Sequence, residues 1–155
     1  MSSTAPRIKE ITVNRRAFHD YHVLETLETG IVLTGTEIKS VRAGRVNIRH
    51  SYAKVENGEL WLVGAHISHH PEAGKHNHDP TRDRKLLAHR EEIRRLQGQV
   101  SQKGYTLVPL RIYVKKHRAK VELGLVRGKR EFDKRQAIKK RETDMEIRRA
   151  VRRRM

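Results

Sequence analysis

Apolar and polar residues alternate over much of the chain, and this period of two predicts short β-strands. The clearest case is residues 51–63, where two alternating runs flank Asn57-Gly58. Asn-Gly tolerates positive φ at both central positions of a type I′ turn, so this segment predicts a β-hairpin. A second hairpin is predicted from residues 106–114 and 119–126, which flank a polar loop over residues 115–118.

The N-terminal part of the chain combines a capped turn with a bent strand. Asn14 can cap the backbone N–H groups that follow it, and therefore predicts a short helix or turn over residues 14–21. Two β-rich runs, residues 21–28 and 31–34, predict strands that are hinged at Gly30.

Two further helices are predicted from apolar residues at helical spacing. Residues 36–42 predict a short helix that stops at Gly44, with Ile38 and Val41 on its packed side. Its remaining polar residues are expected to be exposed: Glu37, Lys39, Ser40 and Arg42. A longer helix is predicted from Asp79-Pro80 to Lys103-Gly104, with a potential break at Gly98. Its periodic apolar residues are Leu86, Ile93, Leu96 and Val100.

These elements predict a mainly β fold with about three helices. Short antiparallel strands with one inserted helix suit a small antiparallel β-barrel, of which the oligonucleotide-binding fold is one type. Residues 11–128 are expected to form this domain, and residues 129–155 a basic C-terminal tail. From Arg127 to Met155 the chain has thirteen Lys or Arg and five Asp or Glu, with no Gly after Gly128. Such a segment builds no core, so we expect it to be disordered when free and to bind a polyanion.

The charge of the whole chain agrees with that of the tail. Its 155 residues include 35 Lys plus Arg against 18 Asp plus Glu, a formal net charge of +17. A field of this size attracts nucleic acid. The absence of Cys excludes disulfides and thiolate chemistry and suits a reducing cytosol. The longest apolar stretch, residues 60–65, is far too short for a membrane span, and the N-terminus has no signal-peptide pattern. We therefore expect a cytoplasmic protein without a membrane partner.

One loop has a composition that suggests metal chemistry. Neutral imidazoles bind zinc, copper or nickel, and five histidines fall close together: His66, His69, His70, His76 and His78. Their spacing matches no closed metal site, so the preferred interpretation is a solvated, dispensable loop without metal. A His-liganded metal hydrolase is the weakest alternative, because no nucleophile elbow, phosphate loop or paired-carboxylate motif is present. We expect no enzymatic activity and no cofactor.

Nucleic-acid binding is favoured instead, through charge and shape, because aromatic residues are few. Basic residues crowd the N-terminal third: Arg15, Arg16, Lys39, Arg42, Arg45 and Arg49. A further basic patch is expected at Arg82, Arg84 and Lys85.

Four segments carry a specific resemblance. They are NRRAFHDY at residues 14–21, GTEIKSVRAG at residues 35–44, DPTRDRKLL at residues 79–87 and GKREFDKR at residues 128–135. In this order they resemble the motifs of the SmpB family, the SsrA-binding or small protein B proteins. The resemblance runs from about Ile11 to Arg135, and the last twenty residues are similar in their basic character.

The resemblance implies a bacterial cytoplasmic protein, a monomer with an oligonucleotide-binding-like barrel. Such a protein binds the tRNA-like domain of transfer-messenger RNA and brings it to ribosomes stalled on broken messages, in trans-translation. It stands where a tRNA anticodon arm would lie near the small-subunit decoding centre, and its tail enters the empty mRNA channel. A basic ribosomal protein or ribosome assembly factor stays open as the alternative.

The resemblance also implies site residues. Asn14, Glu28 and Leu87 match positions linked to RNA binding, and Gly128 with Asp133-Lys134-Arg135 matches positions linked to action on the ribosome. Further RNA-binding residues are expected at Arg15, Arg16, His19, Lys39, Arg42 and Lys85. Further ribosome-binding residues are expected at Lys129, Arg130, Phe132, Lys139, Lys140, Arg141, Arg148 and Arg149.

The Glu28 carboxylate can accept hydrogen bonds from base amino or 2′-hydroxyl groups, or it can serve as a cross-strand partner of a neighbouring Arg. Phe18 stands where the family commonly has Arg, which removes a phosphate contact. Phe132 stands where some members have His, and its ring can still stack.

Overall fold

The structure is a computed structural model that describes residues 7–102, 104–129, 145 and 147–149. The regular structure is mainly antiparallel β-sheet, as predicted. The strands are β1 (Ile8–Val13), β2 (Tyr21–Ile31), β3 (Val46–Asn47), β4 (Tyr52–Glu56), β5 (Glu59–Val63), β6 (His66–Ile67), β7 (Arg84–Leu87), β8 (Tyr105–Lys115) and β9 (Arg118–Gly128). The helices are α1 (Arg15–Asp20), α2 (Gly35–Arg42) and α3 (Arg90–Val100), with a 3₁₀ turn at Gly74–His76.

Seven strands form one sheet in the order β1-β8-β4-β5-β7-β2-β9, and β8 also pairs with β9. Strands β8, β4, β5, β7, β2 and β9 are therefore paired in a ring, because β9 pairs with β8 again. The first strand, β1, lies outside this ring and pairs with the end of β8. β3 and β6 form a separate two-stranded sheet.

Both predicted hairpins are confirmed. Asn57 and Gly58 have φ of 52° and 75°, and Glu56 pairs with Glu59 across the turn. In the second hairpin Lys116 and His117 have φ of 51° and 64°. This turn contains two residues rather than the predicted four, because Lys115 and Arg118 already pair in the sheet.

Two cores lie on opposite faces of the long β8–β9 hairpin. The larger core contains fully buried leucines of several strands: Leu60, Leu62, Leu86, Leu107 and Leu123. The smaller one lies beneath α1 and contains Ala17, Val108, Leu110 and Val126. Gly124 is required there, because a Cβ at this position would come within 2.8 Å of Leu110 Cδ1. The sheet face that carries the smaller core is called the outer face. Helix α1 covers one end of this face and leaves the other end open.

The predicted long helix from Asp79 is wrong in its first half. Residues 84–87 form strand β7, and the helix begins at Arg90. Leu86 has helical spacing to Ile93, but it pairs with Leu60 on one side and Ile31 on the other. Pairing with two strands that are distant in sequence outweighs the helical spacing of the apolar residues. Gly98 does not break α3, which continues to Val100.

The N-terminal strands also differ from expectation. β2 runs unbroken through Gly30, which pairs with Leu87 on one neighbour and with Lys120 on the other. Thr34 is not part of a strand but caps α2. Strand β1 had no sequence signal, and it begins at Ile8, three residues before the predicted start of the domain.

Candidate nucleic-acid interface

Asn14 caps α1, as predicted, and its side chain is buried. Its Oδ1 accepts a hydrogen bond from the Ala17 backbone at 3.2 Å. Its Nδ2 donates to the Ile48 carbonyl at 3.3 Å and to the Pro109 carbonyl at 3.0 Å. Both amide hydrogens are therefore used inside the protein. Asn14 therefore fixes α1 between β8 and the segment before β4, and its amide has no hydrogen left to donate to a ligand.

The other predicted residues of α1 are exposed. Arg16 Nε and His19 Nδ1 lie 3.2 Å and 2.9 Å from the two carboxylate oxygens of Asp20. These hydrogen bonds, that of His19 first, lower the pKa of Asp20. Arg15 has no carboxylate within 4 Å in the part of the chain that the structure describes. Its charge is therefore free to meet a phosphate.

A cleft separates α1 from residues 46–52. It consists of two adjoining cavities of about 410 Å³ and 280 Å³, which share Asn14, Arg16 and Arg49 as lining residues. Tyr52 lines the smaller cavity and is partly exposed. Guanidinium groups beside an accessible ring can bind a phosphate and stack on a base. The sequence showed Arg49 as one basic residue among several, and only the fold places it beside α1.

Glu28 and Leu87 lie together on the outer face of the sheet. Gly30 pairs directly with Leu87, and Glu28 is two residues from Gly30, so all three face the same side. A Cβ at Gly30 would lie 3.3 Å from Leu87 Cβ. The absence of a side chain at Gly30 thus leaves room for the exposed Leu87 side chain, which lies over the Gly30 backbone on the same face as Glu28.

The partners of Glu28 are a tyrosine and a lysine. The Tyr113 hydroxyl donates a hydrogen bond to Glu28 Oε2, and Lys115 Nζ lies 3.5 Å from each carboxylate oxygen. The Tyr113 hydrogen bond is the main cause that lowers the pKa of Glu28. The suggested cross-strand Arg partner is wrong, because the residue opposite Glu28 on β9 is Glu122.

The remaining predicted RNA-binding residues lie on β7 and α2. Lys85 is two residues from Leu87 on β7, and its Nζ lies 3.2 Å from Glu59. Lys39 is exposed on α2. Arg42 Nη2 donates to the His117 carbonyl at 3.1 Å, which joins the end of α2 to the basic β8–β9 turn.

Glu37 and Arg84 are buried, so their predicted exposure is wrong. Both side chains are 0% exposed, and Arg84 Nε donates to Glu37 Oε2 at 2.6 Å. Arg82 Nη2 donates to Glu37 Oε1 at 2.6 Å, and the Thr34 backbone donates to the same oxygen at 2.9 Å. Burial raises the pKa of Glu37, but the hydrogen bonds and the Arg84 charge outweigh this and hold it at about 2. Arg84 therefore cannot contact nucleic acid.

One histidine of the His-rich loop is structural, which corrects the interpretation of this loop as wholly solvated. His78 is buried, with Nδ1 2.8 Å from the Thr36 hydroxyl and Nε2 2.9 Å from the Ile67 carbonyl. The carbonyl only accepts, so Nε2 carries the proton and Nδ1 accepts from Thr36. Within the described ranges no three His, Cys, Asp or Glu side chains are arranged to hold a metal ion.

The tail begins beside α1. Strand β9 ends at Gly128, which pairs with Tyr21, and Lys129 Nζ donates to the Phe18 carbonyl at 3.3 Å. Arg148 and Arg149 are exposed and have helical backbone. The other predicted ribosome-binding residues lie outside the described residues: Arg130, Phe132, Asp133, Lys134, Arg135, Lys139, Lys140 and Arg141.

The α1 cleft and the Glu28–Leu87 face lie at different ends of β2. Tyr21 and Glu28 are seven residues apart, which is about 23 Å at a rise of ~3.3 Å per residue. The candidate interface is therefore extended, as a surface for a folded RNA would be. No helix in the described part of the chain is long and apolar enough to cross a membrane.

Comparison with known proteins assigns the chain to a family. An SsrA-binding protein of Carboxydothermus hydrogenoformans is 54% identical over 144 residues, 93% of this chain and 97% of that protein. The SsrA-binding protein of Chloroflexus aggregans is 54% identical over 156 residues, which cover all of this chain and 99% of that protein. A solved structure described as "tmRNA-SmpB: a journey to the center of the bacterial ribosome" has a TM-score of 0.66 and 55% identity, and covers 76% of this chain and 83% of that one. The SmpB protein family matches residues 11–153, and the chain therefore belongs to the SmpB family.

Proposed function

We propose that this protein binds the tRNA-like domain of transfer-messenger RNA and delivers it to stalled ribosomes for trans-translation. The main structural support is the outer sheet face, where Leu87 lies opposite Gly30 and Glu28 is two residues from Gly30 on the same face. An exposed carboxylate beside an exposed leucine, on a protein of net charge +17, suits selective recognition added to general phosphate attraction. Its relatives are named SsrA-binding proteins.

The RNA-binding part is the sheet with α1 and α2. The ring of six paired strands supports a closed barrel like the oligonucleotide-binding fold. In this proposal the barrel takes the place of a tRNA anticodon arm. Phosphates of the RNA meet hydrogen-bond donors on α1, α2 and β7. They are Arg15, Arg16 and His19 on α1, Lys39 and Arg42 on α2, and Lys85 on β7.

The tail is the ribosome-binding part. It carries its basic residues into the empty mRNA channel beyond the small-subunit decoding centre, where rRNA phosphates neutralise them. Because Lys129 contacts the Phe18 carbonyl, the tail starts from the α1 end of the domain. The protein acts as a cytoplasmic monomer by binding alone, without enzymatic activity or a cofactor.

A chain that ends at Gly128 tests this division. The expected RNA-binding residues all precede Gly128, so the shortened protein keeps most of its affinity for the tRNA-like RNA in a gel-shift assay and loses ribosome rescue. Circular dichroism checks that it is folded. Loss of RNA binding by a folded truncated protein would contradict the division.

The identity of the RNA that copurifies with the full chain distinguishes the proposed function from the alternative one. One dominant tRNA-like species supports the proposal. Bulk ribosomal RNA would instead indicate a ribosomal protein or an assembly factor.

A further inference from the structure

We propose that Tyr113 is a positioning residue for RNA recognition, which holds Glu28 so that Glu28 Oε1 accepts a hydrogen bond from an RNA amino or 2′-hydroxyl group. The inference rests on the proposed function. Tyr113 is neither a basic residue nor part of the four motifs. The inference also specifies which atom of Glu28 meets the RNA.

Tyr113 is built to hold a carboxylate in place. It lies on β8 between Glu10 of β1 and Lys120 of β9, and it is only 6% exposed. A buried ring on a central strand has little freedom, so its hydroxyl is a fixed donor. That hydroxyl donates to Glu28 Oε2, which fixes the rotation of the carboxylate.

The other oxygen of Glu28 stays available. Its only contact in the described chain is Lys115 Nζ at 3.5 Å, which is too long for a strong hydrogen bond. The Glu28 side chain is 40% exposed. An ionised carboxylate only accepts hydrogen bonds, so it selects donors and repels phosphate oxygens. Base amino groups and 2′-hydroxyl groups are the RNA groups that fit.

The surroundings of Glu28 define the rest of the ligand. Leu87 offers an exposed apolar surface next to it for a base or a ribose ring. Lys115 and Lys120 supply positive charge from β8 and β9. Glu122 faces Glu28 from β9, and its charge is compensated by Arg111 Nε at 2.9 Å. The ligand is therefore one nucleotide whose donor group meets Glu28 while its ring lies on Leu87.

Tyr113→Phe is the central variant, because it removes the hydroxyl group and keeps the ring. We expect about a tenfold loss of affinity for a transcript of the tRNA-like domain, the size typical of a lost hydrogen bond to a charged group. Tyr105→Phe is the matched control, since Tyr105 stacks under Arg127 away from Glu28, and it should bind like the wild type.

A double-variant cycle separates positioning from general support of the fold. If Tyr113 acts through Glu28, Tyr113→Phe adds no further loss of affinity to the Glu28→Ala protein. Equal losses from Tyr113→Phe in both backgrounds would overturn the inference. So would wild-type affinity of the Tyr113→Phe protein. If the wild-type protein itself does not bind this RNA, the proposed function fails instead.

The pH dependence provides a readout that a packing role would not change. Without the tyrosine hydrogen bond, the pKa of Glu28 rises towards its ordinary value of 4.5, so RNA affinity falls at a higher pH in Tyr113→Phe than in the wild type. The charged groups that face Glu28 are the same in both proteins: Lys115, Lys120 and Glu122. Their effects on the pKa of Glu28 therefore cancel in this comparison. NMR titration of the Glu28 carboxyl group in the wild type needs no variant to fold, and an ordinary pKa there would also overturn the inference.

Discussion

Glu37 and Glu28 are two carboxylates that differ in their partners and in their exposure. Each has a lowered pKa, and each accepts a hydrogen bond from a side chain of a distant segment. Glu37 is 0% exposed and both of its oxygens are bonded to arginines. Glu28 is 40% exposed and has one oxygen with only a distant lysine. Both groups are carboxylates, so charge does not distinguish the binding group from the structural one. The difference is that Glu28 has a carboxylate oxygen without a close hydrogen-bond donor.

The energetic consequences differ accordingly. Removing one partner of a buried ion pair leaves an uncompensated charge in a medium of low dielectric constant, which is strongly destabilising. An exposed carboxylate can be hydrated after it loses a partner, so it contributes little to folding.

Glu37→Gln should give the largest effect. Arg84 would stay buried without its counter-charge, and we expect a loss of ~3–5 kcal/mol in the free energy of unfolding, measured by urea denaturation. Glu59→Gln is the matched control, since it breaks the half-exposed pair with Lys85 and should cost less than ~1 kcal/mol. Similar losses in the two variants would contradict the contrast.

Acid should weaken the wild-type fold through the same group. The folded-state pKa of Glu37 is about 2, against an ordinary value of 4.5. Its contribution is therefore complete above pH 4.5 and is lost as the pH falls towards 2. The Glu37→Gln protein lacks this component, so its stability should depend less on pH in this window. Unfolding curves at several pH values measure the slope, and equal slopes would show that other carboxylates dominate.

His78→Asn should cost ~1–2 kcal/mol, because the buried hydrogen bond to the Ile67 carbonyl and the half-buried one to the Thr36 hydroxyl are lost. His76 belongs to the same loop but is exposed, and His76→Asn should leave the melting temperature unchanged. Thermal unfolding of the two variants makes the comparison. An unchanged melting temperature for His78→Asn would restore the interpretation of the loop as dispensable.

Glu28→Gln should give the smallest change in stability, within ~0.5 kcal/mol, as expected for an exposed position. Its affinity for the tRNA-like RNA should nevertheless fall, because the amide presents a donor where the RNA also presents one. Gel-shift titration with unfolding curves on the same protein provides both values. A stability loss as large as that of Glu37→Gln would show that the two carboxylates have the same role.

Local signals in the sequence were enough to place several elements. Asn57-Gly58 predicts its hairpin because positive φ at both positions suits few other residue pairs, and Asn14 predicts its cap because the capped N–H group lies only three residues away. The four motifs were likewise enough to assign the family, which the match over residues 11–153 confirms. Each of these signals lies within a few neighbouring residues.

Only the tertiary structure decided which charged residues are buried and which face the outside. Glu37 meets Arg84 across 47 positions in the chain, and Leu86 becomes a strand residue through partners at Ile31 and Leu60. Tyr113 reaches Glu28 across 85 positions. Sequence periodicity reports which side of an element is apolar, but it carries no information on which distant polar group compensates a buried charge. That depends on strand pairing, because pairing brings the two groups within hydrogen-bond distance.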